Sequence, residues 1–551
     1  MLIVRSSNRG SDIAALHSSI ESITLELRGR YFVTDFDFRR FESLTRVFIR
    51  GSFIDERYSR FVKWPSSIRF LSFYELAGGI DDSVIRSFAS CQDVEEVELF
   101  NTTVKSINAL QIFKKLRKVR LGGDGVDATH RNEPGSADGV IGSWRNPEHA
   151  EAALDELAKI EPLQELDLNL GILPSRGLLR FMQSKKLKVL RSTVVTDDMI
   201  RLIAPVAKDL HTLDLSRNLK ITSWGLQSLR EFPALISLLL AESPKLDSLA
   251  LDFIARCPRL RELDLGELDA PSGIVRGTYV ERSKDGLIPL FIPESRYADT
   301  ERLLKAVSAM TDLERLVLSG HAFVDADLLR AIFDACPKLT DLDVSACPEV
   351  SDKLFELLAE TNRLVSLRAD VVSDAPRALT APKFTAAGFA LLAKCTRLQH
   401  LSVQFHHVLG PAIGKVAKAL KLKSLNIGGC GLRSADFGKV LACAKTVCVD
   451  LANLDGATLT PEEIKSARVT RLDMLECKYV RNSLLAQITQ IESLRHLGLY
   501  RVELDKESFE LLSASKHLKS VDVSRTAISE LAAKNAANAP LLWVTWNLLP
   551  Y

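Results

Sequence analysis

The chain predicts an α/β solenoid of the horseshoe kind, with a parallel β-sheet on its concave face, helices on its convex face and about 20 repeats. Three observations predict it. A short apolar frame, LxxLxL, returns every 22 to 26 residues over most of the stretch from Ile20 to Trp546. Apolar residues at helical spacing fill the intervals between frames. Eight of the nine cysteines fall in two fixed columns of that repeat. One such unit cannot bury its apolar face alone and must stack on copies of itself, which makes self-similarity of this period the mark of a layered array.

In chain order the frames begin at Ile20, Leu44, Ile68, Val94, Leu116, Leu163, Leu187, Leu210, Leu235, Leu260, Leu313, Leu339, Leu364, Leu398, Leu422, Thr446, Val469, Leu494, Leu518 and Leu541. Residues 313–339, LERLVLSGHAFVDADLLRAIFDACPKL, show the chemistry of one unit. Leu313, Leu316 and Leu318 fit a short strand that turns them inward, and Glu314, Arg315 and Val317 then point outward, because side chains alternate along a strand. From Asp325 to Ala335, Leu328, Leu329, Ile332 and Phe333 recur at helical spacing. Asp325 is placed to cap that helix, and Cys336-Pro337 ends it, since proline disfavours helix in the residue before it.

Three segments break the period, at about 122–146, 266–286 and 370–384. The first is rich in Gly and Asp and reads as a loop, followed by a helix from about Pro147 to Ile160. In the second, Pro271, Gly273 and Gly277 argue against a helix, and LIPLFI (287–292) reads as a divergent twenty-first frame. Each irregular segment follows a strand and precedes a helix, so all three are expected on one rim of a single solenoid domain spanning residues 1–551. At the far end, APLLWVTWNLLPY closes the chain with no polar helix after the last frame. There Leu541, Val544 and Trp546 read as inward and Trp543 as outward. The expectation is that residues 548–551 fold back as a minimal cap. The alternative is end-to-end self-association through this C-terminal repeat, because a bare apolar edge favours association.

These residues resemble the leucine-rich-repeat family, and within it the cysteine-containing, ribonuclease-inhibitor-like subclass. LTDLDVSAC (339–347), LKSLNIGGC (422–430) and VTRLDMLEC (469–477) match the strand half of that subclass's repeat, and ARCPRL (255–260) and DACPKL (334–339) match the helix-to-strand half. The resemblance implies a protein-recognition scaffold that uses its concave sheet and one rim of loops, with no catalytic residues of its own. Many members of the subclass are substrate receptors of ubiquitin ligases that carry an F-box before the repeats. Here a frame already begins at Ile20, so no F-box is expected. A substrate-receptor or effector component, with its catalytic part elsewhere, is the alternative function.

Composition fits this picture. Apolar content of 46% and charged content of 26% are ordinary for a globular chain. A formal net charge of +2 predicts no nucleic-acid partner. No apolar run is long enough to span a membrane. MLIVRSSNRG has four apolar residues and then turns polar, which is no secretory signal. The expected partner is a protein and the expected compartment is the cytoplasm.

Cys91, Cys257, Cys336, Cys395 and Cys443 lie three residues before a frame start, and Cys347, Cys430 and Cys477 sit at frame position nine. Within a column the nearest two are two layers apart, roughly 10 Å at the spacing of strands and beyond the roughly 7 Å Cα limit for a disulfide. They read as small buried thiols. Cys448 is the ninth; in TVCVDL it takes position three and should face the concave wall.

Two surfaces carry the candidate contacts. On the rim these are His130, Arg131 and Trp144 in the first insertion, Arg276, Tyr279 and Arg282 in the second, and Arg377 in the third. On the concave wall, Asp167, Asp214, Asp264, Asp343, Asp450, Asp473 and Asp522 form a column at position five, read as solvated, and Arg261, Arg315, Arg471, Arg495, His400 and His496 add positive charge beside it. Of the wall residues, Arg315, Asp343, His400, Asp473 and Arg495 are the partner-binding candidates. The adjacent frames VEEVEL (94–99) and LRKVRL (116–121), stacked in register, place Glu95 opposite Arg117, Glu96 opposite Lys118 and Glu98 opposite Arg120. Opposite charges across strands contribute roughly 0.2–1 kcal/mol each. No phosphate loop, HExxH or strand-to-helix GxSxG occurs. The His406-His407 pair has no third ligand at metal spacing. Neither a cofactor nor a metal is expected.

Overall fold

A computed structural model describes residues 2–5, 20–27, 36–51, 62–76, 80–100, 106–122, 147–169, 173–184, 186–266, 282–283, 286–287, 299–371, 383–450, 457–475, 480–499, 502–523, 526 and 542–544. The chain divides into two compact units, Met1–Cys257 and Pro258–Tyr551.

In the first unit the strands are β1 (Leu2–Arg5), β2 (Ser22–Leu27), β3 (Phe36–Asp37), β4 (Arg46–Gly51), β5 (Val62–Lys63), β6 (Phe70–Leu76), β7 (Glu96–Phe100), β8 (Lys118–Gly122), β9 (Glu165–Asn169), β10 (Val189–Ser192), β11 (Thr212–Asp214) and β12 (Ser237–Leu239). All but β3 and β5 join one parallel ladder in chain order, while β3 pairs β5 separately. The second unit contains β13 (Glu262–Asp264), β14 (Arg282–Ser283), β15 (Gly286–Leu287), β16 (Arg315–Val317), β17 (Asp341–Asp343), β18 (Ser366–Arg368), β19 (His400–Ser402), β20 (Leu422–Ile427), β21 (Ala444–Asp450), β22 (Arg471–Leu475), β23 (His496–Gly498), β24 (Ser520–Asp522) and β25 (Leu542–Val544). Here β13 pairs β16 directly and the parallel ladder continues in chain order to β25. Strand, turn and helix alternate layer by layer, as the frame predicts, and this is the leucine-rich-repeat fold.

The frame places the core. Positions one, four and six are buried: Leu313, Leu316 and Leu318 are each fully inaccessible, and Leu342 in the next layer is 2% exposed. Asp325 caps the helix Ala326–Ala335 by accepting the Leu328 N–H at 2.8 Å. The helix after the first insertion runs Pro147–Leu157. In the early layers aromatic rings stack from layer to layer in the core: Phe38 on Trp64 at 4.8 Å and Trp64 on Phe88 at 5.0 Å.

The turn after each strand has its own rule. Position eight is left-handed in Arg217, Glu242, Gly320, Ala346, Phe405 and Gly429, with φ between 52° and 85°. Its N–H bonds the position-seven carbonyl of the next layer, as Arg217 does to Ala241 and Ala346 to Asp370. Most of these residues carry a Cβ and hold that conformation at a cost of about 1–2 kcal/mol. Gly429 has no alternative, because a Cβ there would lie 2.5 Å from the Phe405 ring.

The turn drops position nine into the core, where it must hydrogen-bond. Its partner is the position-six carbonyl of the preceding layer. Asn218 donates to Ser192 at 3.4 Å, Ser243 to Leu215 at 2.7 Å and His321 Nε2 to Leu265 at 2.8 Å. Cys347 donates to Leu318 at 3.1 Å, His406 Nε2 to Ala369 at 2.7 Å and Cys430 to Val403 at 2.6 Å. An amide, a hydroxyl, an imidazole and a thiol thus perform one task, to satisfy a carbonyl that water cannot reach. Burial drives the His406 pKa down and keeps the ring neutral.

Four readings change. β1 precedes the first frame, with Leu2 opposite Ile23, and was hidden because LIVR carries only the later part of a frame. No twenty-first layer stands between β13 and β16, which pair directly; of LIPLFI only Leu287 is described, and Gly286–Leu287 belongs to an antiparallel pair with Arg282–Ser283. The frame read from Thr446 begins at Ala444, since Leu422 partners Ala444 and Leu425 partners Val447. Alanine at position one concealed it, and the helix Phe437–Cys443 runs straight into the strand. Cys443, buried all the same, therefore leaves the column three residues before the frame, and Cys448 moves to position five. Last, Trp543 partners Val521, so the final frame starts one residue earlier than read. A one-residue shift exchanges the two faces of a strand. Residues 545–551 and Cys477 lie outside the described residues.

Candidate functional site

Positions three and five project from the face of the sheet that the helices leave open. In the first unit they build an ion-pair ladder. The three expected cross-strand pairs form: Arg117–Glu95 at 3.0 Å, Lys118–Glu96 at 2.7 Å and Arg120–Glu98 at 2.5 Å. The ladder continues beyond them, from Arg120 to Asp167 at 3.6 Å and from Arg191 to Asp214 at 3.6 Å, with Glu165 3.6 Å from Arg191. Along position five the order is thus Glu98, Arg120, Asp167, Arg191, Asp214, one per layer and alternating in sign. Burial pushes Asp167 up to about 6 and outweighs the pull of Arg120 and Arg191, while the Asp214 charge adds to the rise. A carboxylate walled in by side chains loses more hydration than two guanidinium groups at this range return.

The position-five acids also serve their own turns. Asp214, Asp264 and Asp343 each accept the N–H two residues ahead, from Ser216 at 3.0 Å, Gly266 at 2.9 Å and Ser345 at 2.9 Å. The expectation of a merely solvated column is therefore corrected: these half-buried carboxylates hold the strand-to-turn junction, as an Asx turn does. The register also removes Asp450 from the column and puts Cys448 in its place, half-buried between Asn426 and Asp473 on the neighbouring strands.

In the second unit the open face is more broken. Arg315 lies 3.4 Å from Glu262. Asp343, half-buried, has its pKa raised by desolvation, with Arg368 opposing at 3.9 Å. His400 Nδ1 meets the Ser424 hydroxyl at 2.7 Å, Asp473 meets Arg471 at 2.8 Å, and Arg495 reaches the Leu494 carbonyl at 3.0 Å. These five wall candidates belong to five different layers and do not converge. What the sequence did not show is the hub at Asp370, at the mouth of the third insertion. Its carboxylate accepts from Arg368 at 2.8 Å, the Ser402 hydroxyl at 2.7 Å and the Gln404 N–H at 2.8 Å. Its trace in the sequence is an acid at position seven, one residue past the frame.

Of the rim candidates, His130, Arg131, Trp144, Arg276, Tyr279 and Arg377 lie outside the described residues, and of Arg282 only the backbone is described. Among the described residues no group of three or more His, Cys, Asp or Glu is placed to hold a metal. No helix among them is long and apolar enough to cross a membrane.

No protein-family model matches the chain. It is 30% identical over 142 residues to bovine F-box/LRR-repeat protein 4, a match covering 24% of this chain and 20% of that protein. Among solved structures it aligns with a complex of TLR13 and ssRNA13 at 14% identity and a TM-score of 0.39, covering 96% of this chain and 85% of that one. It aligns with Rad7 from the yeast Rad7–Elc1 complex at 13% identity and 0.37, covering 68% and 83%. An internalin of Listeria monocytogenes aligns at 11% identity and 0.26, covering 86% and 90%. The chain has the leucine-rich-repeat fold by its own register, in which twenty frames each carry one parallel strand.

Proposed function

We propose that the protein is a non-catalytic recognition scaffold that binds a protein partner across the open face of its sheet and the adjoining rim, in the cytoplasm. The observation that carries this reading is the alternating ladder at position five of the first unit. It is a row of fixed charges, one per layer, on a face left uncovered by helices. Alternating fixed charge sets the register of a complementary surface and excludes partners of the wrong pattern. The rim residues His130, Arg131, Trp144, Arg276, Tyr279, Arg282 and Arg377 are proposed as the second part of the contact.

The test is affinity capture with the intact chain, followed by the double substitution Arg120→Glu and Arg191→Glu. The expected result is a stoichiometric protein partner that the variant loses while its circular dichroism is unchanged. A partner held equally well by the variant rejects the ladder as the contact surface. A second reading is favoured by the F-box/LRR relative: a substrate-binding component of a ubiquitin-ligase-like assembly, with catalysis on another subunit. Ubiquitin-pathway subunits among the captured proteins support it, and their absence from a capture that does yield a stoichiometric partner rejects it.

A further inference from the structure

A cleft of about 580 Å³ opens in the second unit, on the rim where the chain enters strands β19 to β22. Arg397, Lys421 and Arg468 line it from the positions immediately before frame starts, and Lys423 and Lys445 from position two of adjacent strands. All five are exposed and no acid lines the cleft.

The same rim positions look different in other layers. Lys115 is 3.0 Å from Asp93 and Lys338 is 2.5 Å from Asp312, each pair joining residues that immediately precede frames in successive layers. At position two, Arg117 pairs Glu95 at 3.0 Å and Arg261 lies 3.7 Å from Glu314. Across β19 to β22 these positions hold Arg397, Lys421, Lys423, Lys445 and Arg468 beside the uncharged Gln399, Cys443 and Thr470, and no acid. Like charges on neighbouring strands destabilise the sheet, so this rim is built at a cost that a bound anion would relieve. The net charge of +2 conceals the patch, because acids elsewhere balance it.

We propose that this cleft binds a small molecule bearing two or more closely spaced phosphate groups. The volume is that of a small-molecule site. Five cations around one cleft match a compact, multiply charged anion better than single carboxylates spread along an extended peptide. Two arginines supply planar forks for phosphate oxygens and three lysines supply point charges. No aromatic side chain lines the cleft, which disfavours stacking of nucleic-acid bases. Leu398, Leu422 and Val365 form an apolar floor, with Thr396 and Gln399 as neutral donors.

The experiment is titration calorimetry of the full chain with inorganic tripolyphosphate, at low and at moderate salt. The expected result is saturable one-to-one binding that weakens as salt rises and falls at least tenfold in the double variant Lys423→Ala and Lys445→Ala. Lys338→Ala, on the same rim but ion-paired, should bind like the parent, and circular dichroism reports the fold of both variants. Vesicles with a multiply phosphorylated headgroup separate the two sources of the ligand. Capture on them that tripolyphosphate displaces makes the ligand a lipid headgroup, and tripolyphosphate binding without capture makes it a soluble metabolite. The proposal is overturned by absent or non-saturable tripolyphosphate binding, by equal binding in the folded double variant, or by an RNA oligonucleotide that binds the cleft more tightly than tripolyphosphate does.

Discussion

Replacing Asn218 by alanine removes four hydrogen bonds from a side chain that solvent does not reach. The amide donates to the Ser192 carbonyl at 3.4 Å and the Val195 carbonyl at 2.8 Å, and its oxygen accepts the Lys220 and Ile221 N–H groups at 2.8 and 2.9 Å. Each bond is worth about 1 kcal/mol net, and a buried group left without a partner costs about 1–3 kcal/mol. Lys220 is exposed and water can reach its N–H, but Ile221 is fully buried. The expected loss for Asn218→Ala is therefore about 3–4 kcal/mol. Asn218→Cys keeps a donor toward the preceding layer and loses the acceptor, so it should cost about half as much. Cys430→Ala, which removes one thiol donor and a small volume, should cost about 1 kcal/mol. Urea denaturation ranks the three. Because long repeat arrays need not unfold in one step, hydrogen exchange at the Ile221 amide provides the local measure, and Asn218→Ala should accelerate it sharply. An unchanged midpoint with Ile221 still protected would refute the account of position nine as the satisfier of the turn.

Leu316→Ala and Leu342→Ala should each cost about 2–5 kcal/mol through lost burial and a residual cavity; denaturant midpoints within error of the parent would mean that the frame does not define the core. Cys448, half-buried where Cys91, Cys257, Cys336, Cys347, Cys395, Cys430 and Cys443 are buried, should react first with a maleimide under native conditions. Mass mapping that finds Cys336 or Cys430 labelled earlier contradicts this. Asp167 has a folded pKa of about 6 against 3.8 for the unfolded group. Its contribution is fully present below about pH 4 and is lost as pH rises through about 6, by roughly 3 kcal/mol at 1.36 kcal/mol per unit. Asp167→Asn should flatten the dependence of stability on pH across that window, and an identical pH profile would show that Asp167 ionises freely in the folded state.

What the sequence determined is everything that depends on a period. Twenty apolar frames placed twenty strands, because one unit buries Leu313, Leu316 and Leu318 only against its neighbours, and that need is written into every copy. The Glu95–Arg117, Glu96–Lys118 and Glu98–Arg120 pairs followed from stacking two adjacent frames, and the Asp325 cap from a local rule. What only the tertiary structure decided is whatever depends on the next layer. Alanine at position one let TVCVDL be read two residues out of register, and only the pairing of Leu422 with Ala444 and of Leu425 with Val447 fixed it. His406, half of an apparent pair in the sequence, proved to be a position-nine donor to Ala369, equivalent to Cys430 one layer on. The basic rim around Lys423 and Lys445 was invisible in a net charge of +2, since its residues are scattered from 397 to 468 along the chain. A linear pattern records which residues one layer contributes. Hydrogen bonds, ion pairs and clefts between layers are set by strand register, and register is a property of the folded stack.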